Sequence, residues 1–271
     1  MNTTIETQIK KKHFEPYRIS FGEVDAGLYV GDCLLVMDQL IASEVKVDMI
    51  FADPPYFLSN NGISCQNGKM VSVNKGQWDK SKGAEGNHHF NLAWLSKCQE
   101  LLKKNGTVWV SGTHHVIHSV GFAMQQLGYK ILNSITWEKP NPPPNLSCRY
   151  FTHATETILW ASKNEKSKHY FNYDLMKQEN GGKQMKSVWT MTAPGKAEKQ
   201  FGKHPTQKPL KLLNRIIQSS SKENDTILDP FSGSGTTGVS ALINKRHYIG
   251  IELDNEFHHL TRKRIESQLS L

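Results

Sequence analysis

The tetrapeptide Asp53-Pro54-Pro55-Tyr56 directly follows the apolar run Val47 to Ala52 and has the composition of a reaction centre at a strand end. In an open α/β sheet the carboxyl ends of the strands face the ligand crevice, so a rigid turn there holds an acid and an aromatic ring over a bound molecule. Each proline fixes φ and lacks an N–H. The Asp53 carboxylate and the Pro54 carbonyl are therefore left as acceptors with no local donor to consume them. Two such acceptors suit an amino group with two hydrogens, such as the exocyclic NH2 of a nucleobase, with Tyr56 stacked on the ring. That amine is a weak nucleophile because its lone pair is delocalised. Accepting both N–H bonds favours the pyramidal form, whose lone pair points outward toward an electrophile such as a methyl sulfonium.

A second chemical turn runs from Asp229 through Pro230-Phe231-Ser232-Gly233-Ser234-Gly235-Thr236-Thr237 to Gly238. It follows the strand expected at Thr226 to Asp229, opens a helix and contains G-x-G-x-x-G. Glycines there let a ligand approach the backbone, and the next strand, Tyr248 to Ile251, leads into Glu252, placed to accept from a pair of ribose hydroxyls. NAD and S-adenosylmethionine share adenosine, so the turn alone fits either. A dehydrogenase, however, has no use for Asp53 to Tyr56 and carries its glycine turn near the start of the chain.

The elements that must position these turns alternate. Leu28 to Asp32 reads as a strand ending in an acid, Leu34 to Ile41 as a helix and Val47 to Ala52 as a buried strand. Residues 57 to 88 are rich in Asn, Ser, Gly and Lys, and we read them as a long loop forming a lid over Tyr56. A helix is expected from Phe90 to Lys103, a strand at Thr107 to Ser111, then a helix at Ile117 to Gln126 and a strand at Ile131 to Trp137. The segment 139–202 breaks the alternation. It interleaves basic and aromatic residues that suit phosphates and bases, or form a surface insertion with its own small core around Phe171 and Trp189, and Thr155 to Ser162 within it reads as one more sheet strand. Thr206 is expected to cap the helix Leu210 to Ser220. Helices are further expected at Thr237 to Asn244 and from about Asn255 to Ser267.

At 271 residues the chain suits one α/β domain with an insertion. Its 33 Lys and Arg against 25 Asp and Glu, a net charge of +8, suit a polyanionic partner or simply a soluble basic protein. Cys33, Cys65, Cys98 and Cys148 form no C-x-x-C pair, and the histidine pairs at 88–89, 114–115 and 258–259 lack a glutamate at metalloprotease spacing, so no metal is expected. Met1 to Arg18 has no apolar segment of signal-peptide type, and no run of about eighteen apolar residues occurs, so the expectation is a cytoplasmic protein without a membrane span.

Taken together, Asp53 to Tyr56, the segment 139–202 and Phe231 to Gly235, in that order, resemble the β arrangement of the S-adenosylmethionine-dependent DNA amino-methyltransferases. The likeness runs from Leu28 almost to the end of the chain. It implies a Rossmann-like mixed seven-stranded sheet with helices on both faces, a circularly permuted motif order, one domain over 1–271 and a target-recognition insertion at 139–202. The permutation implies that Leu28 to Asp32 lies beside Tyr248 to Ile251.

The same resemblance implies that Asp53, Pro54, Pro55 and Tyr56 hold the target base. Cofactor contacts are implied for Asp32 at the adenine, for Thr206 and Lys208 at the methionine end, and for Asp53, Asp229, Phe231, Ser232, Gly233, Ser234, Gly235, Thr236 and Glu252. The substrate that the resemblance implies is DNA, double-stranded, with single-stranded DNA as a further form. Aspartate at position 53 favours adenine N6, since the cytosine-N4 enzymes mostly carry serine there. Cytosine-N4 transfer and a catalytically silent nucleic-acid-binding relative are the alternatives. A homodimer and a separately encoded restriction endonuclease are further partners that the resemblance admits.

Phe57 to Asn60, Lys75 to Lys80, Asn145 to His153 and Gly182 to Lys186 are similar to the accessory adenine methyltransferases of GATC restriction systems. In that reading Arg149 meets a guanine edge and Asn145 an adenine edge, or each grips phosphate or braces a loop, and Lys183 and Lys186 join the DNA contacts.

Overall fold

The structure, a computed structural model, describes residues 13–57, 63–66, 69–72 and 79–270. The first half comprises β1 (Tyr17–Phe21), β2 (Val24–Val30), α1 (Cys33–Ala42), β3 (Val47–Ala52), the hairpin strands β4 (Ile63–Gln66) and β5 (Lys69–Ser72), α2 (Gly83–Leu101), β6 (Leu102–Gly112) and α3 (Ile117–Gln126). The second half comprises β7 (Lys130–Glu138), β8 (Thr155–Ser162), α4 (Tyr173–Glu179), β9 (Val188–Thr190), α5 (Leu210–Ser220), β10 (Thr226–Asp229), α6 (Thr236–Ile243), β11 (His247–Glu252) and α7 (Asn255–Glu266).

Among the described residues one mixed sheet runs in the order β1-β2-β11-β10-β3-β6-β8-β7-β9. The strands from β2 to β6 are parallel, β8 runs against its neighbours β6 and β7, and β1 runs against β2 at the edge. The seven strands from β2 to β7 correspond to the expected sheet, and two edge strands extend it: β1 by a tight hairpin, β9 from the segment 139–202. Val30 pairs with Glu252 and Leu28 with Gly250, so the first long strand does lie beside the last.

β3 carries apolar residues without polar alternation because both faces of a central parallel strand are covered. Its Ile50 and Ala52 pack under α1, α2 and α3, while Met49 and Phe51 pack under α5 and α6. On the second face α5 buries Leu212, Leu213, Ile216 and Ile217 on one stripe. Each such side chain contributes about 1.5–3 kcal/mol on burial. Trp109 of β6 stacks on Trp160 of β8 at 4.8 Å and 11°, fastening the antiparallel strand into the sheet.

Several expectations need correction. The long loop from residue 57 to 88 is interrupted by the β4–β5 hairpin, and α2 begins at Gly83 rather than Phe90; residues 58–62, 67–68 and 73–78 of the expected lid lie outside the described residues. The strand expected at Thr107 to Ser111 extends over Leu102–Gly112, because its outer residues continue a pairing that propensity does not register. Thr206 does not cap α5, whose cap position is Pro209; the Leu210 amide instead donates to the Glu198 carboxylate at 2.7 Å. No helix among the described residues is long and apolar enough to cross a membrane.

Candidate active site

The carboxyl ends of β2, β3, β10 and β11 converge on a cavity of about 340 Å³. Asp53 to Tyr56 line one side, and Asp229, Phe231, Ser232, Gly233, Ser234, Thr236 and Glu252 the other, with Asp32, Thr206 and Lys208 between them. Sequence reasoning therefore chose residues that the fold does bring together, Gly235 excepted. Gly235 is absent from the cavity wall. Its φ of +72° and a Cβ position 2.5 Å from the Thr261 side chain make it a packing glycine against α7.

At the glycine turn, Gly233 adopts φ +53°. Its amide donates to Glu252 Oε2 at 2.7 Å, and the Asp254 amide donates to Oε1 at 2.9 Å. Glu252 thus ties the turn to β11 as well as facing the cavity. From α7, Thr261 donates to the Gly233 carbonyl at 3.0 Å and the buried Arg264 to the Ser234 carbonyl at 2.6 Å. Asp229 accepts from the Phe231 amide at 2.9 Å, and burial pushes its carboxyl up to about 7. Burial also raises the Glu252 carboxyl. Asp32 caps α1, accepting from the Leu34 amide at 2.9 Å.

The Asp53 end is built differently. Lys208 reaches in from the start of α5 and donates to Asp53 Oδ2 at 2.5 Å and to the Tyr56 hydroxyl at 3.0 Å. The Tyr56 hydroxyl in turn donates to Asp53 Oδ1 at 2.6 Å. The carboxylate expected to lack a local donor has two: Tyr56 of the same turn, and Lys208, which tertiary structure brings in. Lys208, expected at the methionine end of a cofactor, lines the cavity and sits between Asp53 and Glu156, 3.6 Å from Glu156 Oε2. Glu156 is buried at the start of β8, where Lys139 pairs with its other oxygen and Ser111 donates at 3.5 Å.

These charges set one another. Burial opposes the positive charge on Lys208, but Asp53 and Glu156 outweigh it and raise its pKa. Burial likewise opposes the charge on Glu156, yet Lys208 and Lys139 together hold its carboxyl below the ordinary range. Burial, then the nearby Glu156, raises the Asp53 carboxyl.

Phe57, at the end of the turn, has φ +58°, a conformation rare for a bulky residue. Its amide donates to the fully buried Asp79 at 2.7 Å, which pins the strained turn from across the loop.

Glu156, Lys139 and Asp79 escaped assignment to the site from the sequence. The available signal was an acid in the apolar run Thr155 to Ser162, with a lysine just beyond Trp137.

The proposed DNA residues are more dispersed. Asn145 braces its own loop, accepting from the Ser147 amide at 3.0 Å and donating to the Tyr150 carbonyl at 2.6 Å, which leaves Arg149 exposed beside it. Lys183 and Lys186 are apart from that loop: they precede β9, which starts opposite Thr136, whereas Asn145 and Arg149 lie beyond the end of β7 at Glu138. Among the described residues no group of His, Cys, Asp and Glu is arranged to hold a metal ion.

The DNA methylase family profile matches residues 47–263. Similar relatives include the Type II methyltransferase M2.DpnII of Streptococcus pneumoniae, 61% identical over 224 residues that cover 82% of this chain and 84% of the relative. The Type II methyltransferase M2.MboI of Moraxella bovis is 55% identical over 237 residues, covering 88% and 86%. Among solved structures, the M1.HpyAVI–SAM complex superposes with a TM-score of 0.68 at 28% identity, covering 89% of this chain and 98% of that one. The PvuII cytosine-N4-specific DNA methyltransferase, TM-score 0.69 at 19% identity, shows the shared fold alone. With its permuted strand order, its paired turns on one cavity and a profile match over most of its length, the chain belongs to the DNA methylase family of N6 and N4 amino-methyltransferases.

Proposed function

We propose that the protein transfers a methyl group from S-adenosylmethionine to the N6 amino group of an adenine flipped out of DNA, within the sequence GATC. The observation that carries this reading is the single cavity that joins the glycine turn to Asp53-Pro54-Pro55-Tyr56. Its lining suits the donor. Asp32, Asp229 and Glu252 offer acceptors to the hydroxyl and amino groups of an adenosyl amino acid, and their negative charge suits a cation. When bound, S-adenosylmethionine supplies an electrophilic methyl on a positively charged sulfur.

The chain's own residues do the rest. Removing adenine from the stack costs a few kcal/mol, which contacts to the exposed base must offset. Asp53 and the Pro54 carbonyl accept the two N–H bonds of the amine, since each Asp53 oxygen keeps a further lone pair beside its Lys208 or Tyr56 bond. Holding the nitrogen in line with its electrophile supplies much of the acceleration, and the fixed acceptors stabilise the positive charge that develops on it. Asp53, the carboxylate that holds the amine, then takes the proton, while Lys208 stays charged and Glu156 ionised.

Adenine is preferred to cytosine on the aspartate at position 53. GATC rests on the likeness of Asn145 to His153 and Gly182 to Lys186 to the accessory enzymes of such systems, in which a separate endonuclease cuts the unmodified site. The segment 139–202 is the proposed target reader. The test is to methylate a plasmid with the purified protein and S-adenosylmethionine, then digest it with one nuclease blocked by adenine methylation in GATC and another that requires it. Protection from the first and cutting by the second are expected. Methyl groups mapped to other adenines would refute GATC, and methylated cytosine would refute adenine.

A further inference from the structure

The loop between β7 and β8 carries a side chain that the site does not use. Phe151 is 96% exposed, while the next most exposed phenylalanine among the described residues, Phe122, is 55% exposed. Isolated exposed apolar residues are common, but this one stands on a built support. Asn145 ties the loop across itself through Ser147 and Tyr150, and Cys148 takes φ +53° to complete the turn. At the neck, the Lys139 amide donates to the Ala154 carbonyl at 2.8 Å.

That neck is also the rim of the reaction centre. Lys139 and Glu156 pair with each other across it, and Glu156 in turn meets Lys208. Five extended residues put Phe151 at most roughly 17 Å from Glu156 along the chain. Beside it is a concavity of aromatic rings, with His114 stacked on His153 at 4.5 Å and Tyr150 near His153 at 5.3 Å. Ring faces of this kind accept any base, and Arg149 beside them supplies charge for phosphate.

We propose that Phe151 is the wedge that enters the duplex when the target base leaves it, with the His114, Tyr150 and His153 rings receiving the neighbouring bases. This deepens the proposed DNA methylation and rests on it. Proteins that kink or unstack a duplex insert apolar side chains between base steps, and an apolar ring held in water by a rigid loop beside the base pocket is suited to that task. An unpaired target needs less help to leave the stack, so the wedge matters most when the base is paired.

The test compares Phe151→Ala and Phe151→Trp with the wild type, on one duplex whose target adenine faces thymine and on another whose target faces an abasic site. Single-turnover methylation is measured on both, with 2-aminopurine fluorescence at the target position reporting extrusion. Phe151→Ala is expected to slow methylation of the paired duplex by roughly ten- to a hundredfold, the value of one lost aromatic stack, and to reduce its fluorescence change. On the abasic duplex the loss should shrink to within about twofold, and Phe151→Trp should recover most of the paired rate. Equal losses on the two duplexes, or no loss on the paired one, would overturn the wedge while leaving methylation standing. A wild type inactive on both would overturn the methylation reading and the wedge with it.

Discussion

At the glycine-turn end of the cavity, Asp229 and Glu252 meet only backbone amides and hydroxyls, whereas at the Asp53 end each carboxylate meets a lysine. Both ends are buried, so both acids lose solvation, yet the outcomes differ. Without a cation the Asp229 carboxyl is pushed up to about 7. With two lysines, Glu156 stays below the ordinary carboxylate range. An end whose acids lack a counter-charge is poised to gain one from a ligand, while an end already balanced by Lys208 and Lys139 can hold a neutral base in a fixed geometry. The difference matches a sulfonium donor at one end and an uncharged amine at the other.

The most severe way to break this contrast is Lys208→Met, which leaves Asp53 and Glu156 facing each other without their shared cation. Removing one partner from a buried charge network costs about 3–5 kcal/mol, so urea denaturation at pH 7.5 should show a loss of that order together with loss of methylation. Adding Glu156→Gln should restore part of the stability, because it removes the negative charge that faces the stranded Asp53, Glu156 itself having kept Lys139.

Asp229 sharpens the other end through pH. Its folded pKa lies above its unfolded value, so its stabilising contribution is fully present below about pH 4 and is lost as pH rises through about 7. Asp229→Asn should therefore make the unliganded protein relatively more stable at pH 8 than at pH 5, measured by thermal unfolding. A bound cation favours the ionised carboxylate, so S-adenosylmethionine affinity should fall by up to about tenfold per pH unit below 7 in the wild type. In Asp229→Asn calorimetric titration should find that dependence flattened.

A smaller effect concerns the support of Lys208. Glu198 accepts from the first amide of α5, directly behind the lysine. Glu198→Ala should cost about 0.5–2 kcal/mol, the usual value of a lost helix cap, whereas Thr206→Ala should leave α5 unchanged by the same denaturation measurement.

The contrast was only half legible in the sequence. The glycine turn and Asp53 to Tyr56 are contiguous motifs, and chain-local chemistry makes them readable: prolines that fix φ, glycines at positive φ, acids at strand ends. Glu156, in β8, and Lys139, just past β7, lie far along the chain, and only the antiparallel insertion of β8 between β6 and β7 brings them to Asp53. A carboxylate inside Thr155 to Ser162 reads as an ordinary polar interruption until its neighbours are known. The same holds for Asp79, which meets Phe57 across a loop. Asn145 follows the loop-bracing alternative in this structure, its partners being local, two and five residues away, where an Asx-type turn competes with outward contacts for the same amide. The two edge strands add pairings at the margins of the sheet, where short segments carry little periodic signal.

The division of the cavity is tested most directly by measuring S-adenosylmethionine affinity and single-turnover methylation in Asp53→Ala and Glu252→Ala, with thermal unfolding as the control for the turn that Glu252 also ties down. Asp53→Ala is expected to lose about two to three decades of rate with cofactor affinity nearly unchanged. Glu252→Ala is expected to weaken cofactor binding and to recover most of its rate at saturating S-adenosylmethionine. Unchanged affinity in Glu252→Ala, or most of the rate surviving in Asp53→Ala, would contradict the assignment of the two ends.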